Sequence, residues 1–292
     1  SPFYHNSFPP VACDRIVKPM EEKKKRYTIK DIAAACGVST ATVSYVLNDV
    51  KNQAISEATR TRVMHYAHMI GYRSSSIARA LATGVSNNIG IYMPYSGNAC
   101  SKLQLVRALT AEAEAQGRNT VLLSDRCMKQ RVGNVDAVLA IDISEDEFRI
   151  LGENCFFPLL YLEGMIEDDL YYRFCFDARA IREKAQAISG RTQAVWIGDK
   201  PHSETYAAYL RQVFDGVYTP EEALRQPIPE SAVPVAQDAV LGGMLRAAGR
   251  SCLNLGSEEL PLDYAAYAAR VMDIVLRTVA RENVPEEHVQ QI

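Results

Sequence analysis

The stretch from Thr28 to Asn48 constrains this chain more than any other, because it marks the ends of two short helical patterns. Thr28, followed three residues on by Asp31, makes a capping-box-like pair in which side chains meet the free amides at a helix start. Ile29, Ile32, Ala33 and Cys36 then repeat on one helical face. Gly37 ends the pattern, since glycine takes a left-handed backbone without strain. Ser39 is a second N-cap, and Val43, Val46 and Leu47 supply the next apolar stripe. Thr40, Ala41, Thr42, Ser44 and Tyr45 are left facing outward. Two readings fit: an ordinary αα-corner, or a helix-turn-helix whose second helix, small-sided at its start, enters a DNA major groove.

The flanking residues bear on that choice. Asn48 to Ala54 is polar and turn-like. Ser56 caps a third helix of about 15 residues, with Glu57 in its first turn suited to the helix dipole. Val63, Tyr66, Ala67 and Ile70 give it an apolar face, and Gly71 stops it. A two-turn helix is expected from Ser75 to Thr83, ended by Gly84; it is either a linker or a hinge that orders on DNA. The run Glu21–Arg26 is a solvated tail or a set of phosphate contacts. Charge is unevenly spread: residues 1–88 hold 12 Lys+Arg against 6 Asp+Glu, whereas the remainder is net negative. A basic head on an acidic body points to a polyanion as partner of the head alone.

At 292 residues and 48% hydrophobic, the chain has room for two domains and a buried core. It has no apolar run of about 18 residues, so no transmembrane helix or membrane partner is expected. Nor does its start carry a signal-peptide pattern. Residues 1–26 are expected to be a disordered or non-native extension, with four prolines and no periodicity in the first nineteen. Residues 27–73 form the head, 74–87 the hinge and linker, and 88–292 the core. The seven cysteines include no Cys-x-x-Cys pair, which fits reduced thiols in a cytosolic protein and no metal site.

From Asn88 the pattern alternates between strands and helices. Strands are expected at Ile89–Met93, Asn119–Ser124, Val135–Ile141, Pro158–Leu162, Phe174–Phe176, Ala194–Gly198, Val233–Ala236 and Leu253–Leu255. Helices are expected at Ser101–Gln116, Ala178–Ile188, Ser203–Phe214, Ala239–Ala248 and Tyr264–Arg281. Such alternation means parallel sheets, at whose strand ends ligands sit. That criterion selects Pro94–Ser96, Glu163, Phe176, Asp177, Asp199, Gln237, Asp238 and Glu258.

Residues 28–93 resemble the lactose/galactose/purine repressor family of bacterial transcription factors. The resemblance is carried by Thr28–Asn48, Ser56–Tyr72, Ser75–Thr83 and the strand Ile89–Pro94. It implies an all-α helix-turn-helix head plus an α/β two-lobed, periplasmic-binding-protein-like core with parallel sheets and a ligand cleft between the lobes. It also implies that Thr40, Ala41 and Tyr45 read base edges. Thr28, Ser39, Thr42, Ser44 and Asn48 would touch phosphates or cap helix ends. Leu81 matches a leucine that wedges into the minor groove, with Ser75 and Ala78 beside it. Many relatives carry Arg where Tyr45 stands, so the usual preference for guanine is not implied here.

The core resembles the family less closely and is shorter, with a strand–helix unit expected to be missing. Arg126–Gly133 is too short for the helix relatives place there, and a segment after Ala248 is expected to be lost. Val235–Asp238 resembles a family Val-Ala-Asn-Asp, with Gln237 for Asn. Glu258 and Glu163 stand where relatives carry Asp, and Tyr206 where sugar-binding relatives carry Arg. Ser96, Glu163, Phe176, Asp177, Tyr206, Gln237, Asp238 and Glu258 are thus the implied effector set, for something other than a simple sugar or for a cleft that has lost its ligand.

No nucleophile elbow, phosphate loop, dinucleotide fingerprint or metalloprotease motif is present, so no enzyme and no cofactor is expected. None of the five histidines has a carboxylate partner at a helical spacing. Three functions follow: a homodimeric regulator of a double-stranded DNA operator that answers to a small molecule; a DNA-binding protein whose core only dimerises; and a solute-binding module.

Overall fold

The computed structural model describes residues 27–47, 50, 53–70, 72, 85–94, 100–166, 168 and 170–291. The chain divides into two compact units, Ser1–Ser75 and Ser76–Ile292. The first holds α1 (Ile29–Cys36), α2 (Thr40–Leu47) and α3 (Glu57–Met69). Asp31 accepts from the Thr28 amide at 2.7 Å and from its hydroxyl at 2.7 Å, closing the start of α1. Gly37 ends it with φ 64°. The Thr42 amide donates to the Ser39 hydroxyl at 3.0 Å and starts α2. Ile32, Val43 and Val63, one from each helix, are fully buried and meet in a core with Ala33, Cys36, Val46 and Ala67. Each such aliphatic side chain contributes roughly 1.5–3 kcal/mol, so this small core is stabilised by a handful of contacts.

The second unit has two parallel sheets. The larger runs β10-β5-β4-β3-β1-β2 and the smaller β7-β6-β8-β9. In chain order its elements begin with β1 (Asn88–Tyr92), α4 (Cys100–Ala115), β2 (Asn119–Leu122), β3 (Ala137–Ile141), α5 (Glu145–Asn154), β4 (Leu159–Leu162) and β5 (Arg173–Cys175). The second lobe follows with α6 (Ala178–Ser189), β6 (Gln193–Ile197), α7 (Glu204–Val213), β7 (Gly216–Tyr218), α8 (Pro220–Arg225), β8 (Ala232–Ala236), α9 (Ala239–Ala247) and β9 (Leu253–Asn254). The chain then returns to the first lobe with α10 (Tyr264–Ala280), packed on α4, and β10 (Val289–Gln291). Every residue of β3 and β8 is buried, because helices cover both faces of a parallel sheet.

Most expected elements form within a residue or two of their expected ends. The region 125–133 holds only a single 3-10 turn, Asp125–Met128, in place of a helix. Four elements lie outside the expectation: α5, β7, α8 and β10. Two carried legible signals. Ser144 with Glu147 and Thr219 with Glu222 are capping boxes, the second followed by Pro220 at the first helical position. α5 is short and only Phe148 and Leu151 of it are buried, which is why its apolar period is faint. Cys36, Cys127, Cys155, Cys175 and Cys252 are free thiols. Among the described residues no helix is long and apolar enough to cross a membrane.

Candidate nucleic-acid interface and ligand cleft

In the head, α2 is buried only through Val43 and Val46. Thr40, Ala41 and Tyr45 are exposed on its other side, Tyr45 by 37%. Thr42 and Ser44 are half-buried. The Ser39 and Thr42 hydroxyls bond each other at 2.9 Å, so they define the entry into α2. The start of α2 therefore presents a hydroxyl, a methyl and one turn later a phenol. Asn48, Ser75, Ala78, Leu81 and Ser96 lie outside the described residues, as do the extension 1–26 and most of the expected hinge.

In the core, a cleft lies between the two sheets' strand ends, with a cavity of about 70 Å³. Of the expected effector set, Glu163, Phe176, Tyr206 and Gln237 line it, together with Asp199. Asp177 does not: its carboxylate caps α6, accepting from the amides of Arg179 and Ala180 at 2.9 and 3.1 Å. Asp238 likewise caps α9 through the Leu241 amide at 2.8 Å. Glu258 is exposed in the turn after β9. Strand-end position alone does not separate a ligand contact from a helix cap, because the residue after a parallel strand serves either role.

Lining residues that escaped the sequence reading include Lys102, Asp142, Trp196, Lys200 and Tyr264. Asp142 immediately follows β3 as Glu163 follows β4, so the strand-end rule, applied evenly, would have found it. Both take a left-handed backbone, with φ 45° and 52°. Non-glycine residues held there carry strain of order 1 kcal/mol, and such positions gather at functional sites. Gly198, at the end of β6, has no room for a side chain: a Cβ there would stand 2.6 Å from Gln237 Oε1. That oxygen accepts from the Asp199 amide at 2.8 Å.

Polar contacts join the lobes at the rim. Asp142 Oδ1 accepts from the His202 amide at 3.0 Å, and Oδ2 meets His202 Nδ1 at 3.2 Å and the Lys102 ammonium. His202 thus has a carboxylate partner sixty residues away, which helical spacing could not reveal. Ser203, fully buried, donates to Glu145 Oε1 at 2.8 Å, and the Thr205 amide donates to the same oxygen at 3.1 Å. Burial pushes the Glu145 carboxyl up, but these hydrogen bonds outweigh it and hold it below its ordinary value.

Glu163 differs. Burial pushes its carboxyl up to about 8, against a partial offset from Tyr267, and its Oε1 is buried with no hydrogen-bond partner. The rings of Phe176, Trp196, Tyr206 and Tyr264 share the cleft with it. Phe176 and Tyr264 meet edge to face at 5.3 Å. Burial likewise drives the Tyr206 phenol well above its ordinary value.

The fold is thus a three-helix head with an outward-facing second helix, and a core of two lobes, each built on a parallel sheet. Residues 28–75 match the model of the bacterial regulatory proteins, lacI family. The family match is thus confined to the head, residues 28–75. The chain is 30% identical over 143 residues to the HTH-type transcriptional regulator RegA of Clostridium saccharobutylicum, covering 49% of this chain and 39% of that protein. It is 32% identical over 149 residues to the ribose operon repressor of Bacillus subtilis, covering 48% and 44%. The match thus spans less than half the length of either relative. Among solved structures, the lac repressor dimer bound to operator and the anti-inducer ONPF superposes with a TM-score of 0.61 at 18% identity, over 92% of this chain and 96% of that one.

Proposed function

We propose that this chain is a DNA-binding transcriptional regulator, a repressor, which binds a pseudo-palindromic operator as a homodimer and answers to a small molecule held between its lobes. The observation that carries the reading is α2. Its buried side anchors it to α1 and α3, and its exposed side presents Thr40, Ala41 and Tyr45 in the segment matching the family model. A hydroxyl and a methyl suit polar base edges and the thymine methyl. Thr28, Ser39, Thr42, Ser44 and Asn48 take the phosphate or helix-end positions, and Leu81, flanked by Ser75 and Ala78, wedges at the operator centre. The relatives above are named as a transcriptional regulator and an operon repressor, in keeping with this role. We place its action in the bacterial cytoplasm, on the nucleoid, and assign it no catalysis.

Selection of bound duplexes from a random pool, followed by footprinting of the winner, tests it. The expected result is two inverted half-sites protected together, with affinity falling steeply as salt rises. Recovery of no common sequence refutes operator reading, and protection of a single half-site refutes the dimer.

A second reading is favoured by one observation. Asp142–His202 and Glu145–Ser203 join the lobes directly. Lobes held together by the chain's own side chains support a dimeriser without an effector. A thermal-shift screen against sugars, nucleobases and sugar acids separates the two: no stabilisation by any compound favours the effector-less form.

A further inference from the structure

We propose that the inter-lobe cleft takes a small organic cation, a primary or quaternary ammonium on a compact apolar body, with its charge against Glu163 and its body between the aromatic rings. This rests on the cleft being an effector site and names the ligand class.

Three observations converge. The first is the orphan Glu163 Oε1, buried and without a partner on a residue that lines the cavity. An unpaired buried acceptor costs roughly 1–3 kcal/mol, so a bound donor relieves a penalty already present. The second is charge. Lys102 and Lys200 are the cations of the wall, and each is engaged: Lys102 by Asp142, Lys200 by Glu204 at 2.5 Å. Asp142, Glu163 and Asp199 add carboxylates, and among the described residues no arginine lines the cleft. An anion therefore meets only cations that are already engaged. The third is the walls. Trp196, Tyr206, Tyr264 and Phe176 line it, and aromatic rings attract ammonium groups by cation–π interaction when water is excluded. The cavity, about 70 Å³, favours a compact guest.

Binding such a guest moves a proton. Glu163 is faced by Asp142 and Lys102 from the cleft and by the phenols of Tyr206, Tyr264 and Tyr267 and the Cys175 thiol. In the empty cleft it is largely protonated at neutral pH. An ammonium beside it favours the carboxylate, so the carboxyl proton leaves to solvent as the cation enters.

The experiment uses the full chain at pH 7 and a matched set of probes: benzylamine, benzyl alcohol and benzoate, with glucosamine and glucose as a second pair. Affinities come from calorimetry in two buffers of different ionisation enthalpy, which also counts protons. Benzylamine is expected to bind at least tenfold tighter than benzyl alcohol, glucosamine tighter than glucose, and each amine to release up to one proton. Glu163→Gln, which keeps shape and removes charge, is expected to abolish both the preference and the release. Trp196→Leu is expected to weaken the amines while leaving the proton release of whatever still binds. If the alcohol, benzoate or glucose binds as tightly as its amine, or Glu163→Gln keeps the preference, the cation proposal is overturned while the effector reading stands. If no probe of any charge binds, both fall.

Discussion

Glu163→Gln also makes a quantitative demand on stability. A carboxyl whose folded-state value is about 8, against an ordinary 4.5, binds more protons in the folded than in the unfolded chain between those limits. Stability from Glu163 is therefore fully present below about 4.5 and is lost as pH rises through 8. Each full unit inside the window is worth about 1.4 kcal/mol. Between pH 5 and pH 8 the parent should lose about 3 kcal/mol relative to a variant that cannot titrate there, once the rounding near both ends is allowed for. The variant amide has no charge to bury, so its profile lacks this slope. Taking the difference between the two proteins cancels every other group, since both proteins share them. Trp196 is the chain's one tryptophan and is 7% exposed in the cleft, so its fluorescence follows unfolding of the core. Urea titrations at half-unit steps from pH 5 to 8, read at that residue, give the two profiles. Parallel profiles, differing by less than about 0.5 kcal/mol across the range, would refute the buried, unpaired placement of Glu163.

Four further outcomes follow from the geometry. A Cβ on Gly242 would stand 1.6 Å from Asn254 Oδ1, so Gly242→Ala should lower the urea midpoint of the core by the equivalent of about 1–3 kcal/mol; an unchanged midpoint would show that α9 and β9 are not so closely apposed. Ser203→Ala removes the cap of α7 and the donor to Glu145, and should cost about 1–3 kcal/mol by the same assay, with no effect counting against the inter-lobe contact. Tyr45→Arg should add a guanine preference at one position of each half-site in duplex selection, worth about 1–3 kcal/mol; an unaltered selected sequence would remove Tyr45 from the base-reading set. Leu81→Ala should weaken operator binding and reduce DNA bending in a circular-permutation gel assay, and undiminished bending would withdraw the wedge from Leu81.

The head was legible because its determinants are local. Thr28 and Asp31, Gly37, Ser39 and Ser56 act within three or four residues of themselves, and the structure finds each at the helix end its chemistry predicts. Most of the core rhythm was legible for a related reason: parallel strands covered on both faces need continuous apolar runs, and Ala137–Ile141 and Ala232–Ala236 are such runs. The short elements were harder. β7 has three residues and α8 six, too few for a period to stand out, and β10 is a strand only because its partner is β5, with Val289 opposite Arg173, 116 residues upstream, a pairing that no local pattern encodes.

The cleft divides differently. Strand-end position nominated Glu163, Phe176 and Gln237, and the family resemblance nominated Tyr206; these four do meet at one cavity. Strand-end position equally nominated Asp177, Asp238 and Glu258, which cap helices or face solvent. Whether a carboxylate after a strand turns to the cavity or to the next helix depends on backbone geometry, and Asp142 and Glu163 turn inward through left-handed dihedrals that composition does not announce. The same holds for the lobe contacts. Asp142 and His202 are sixty residues apart, and Glu145 and Ser203 fifty-eight, so only folding could pair them. By itself the sequence determined the helix ends of the head and the alternation of the core, since both are written in neighbouring residues. Tertiary structure alone decided that Glu163 would be buried beside aromatic rings with an oxygen unpartnered, because burial is set by what distant strands and helices bring to the same place.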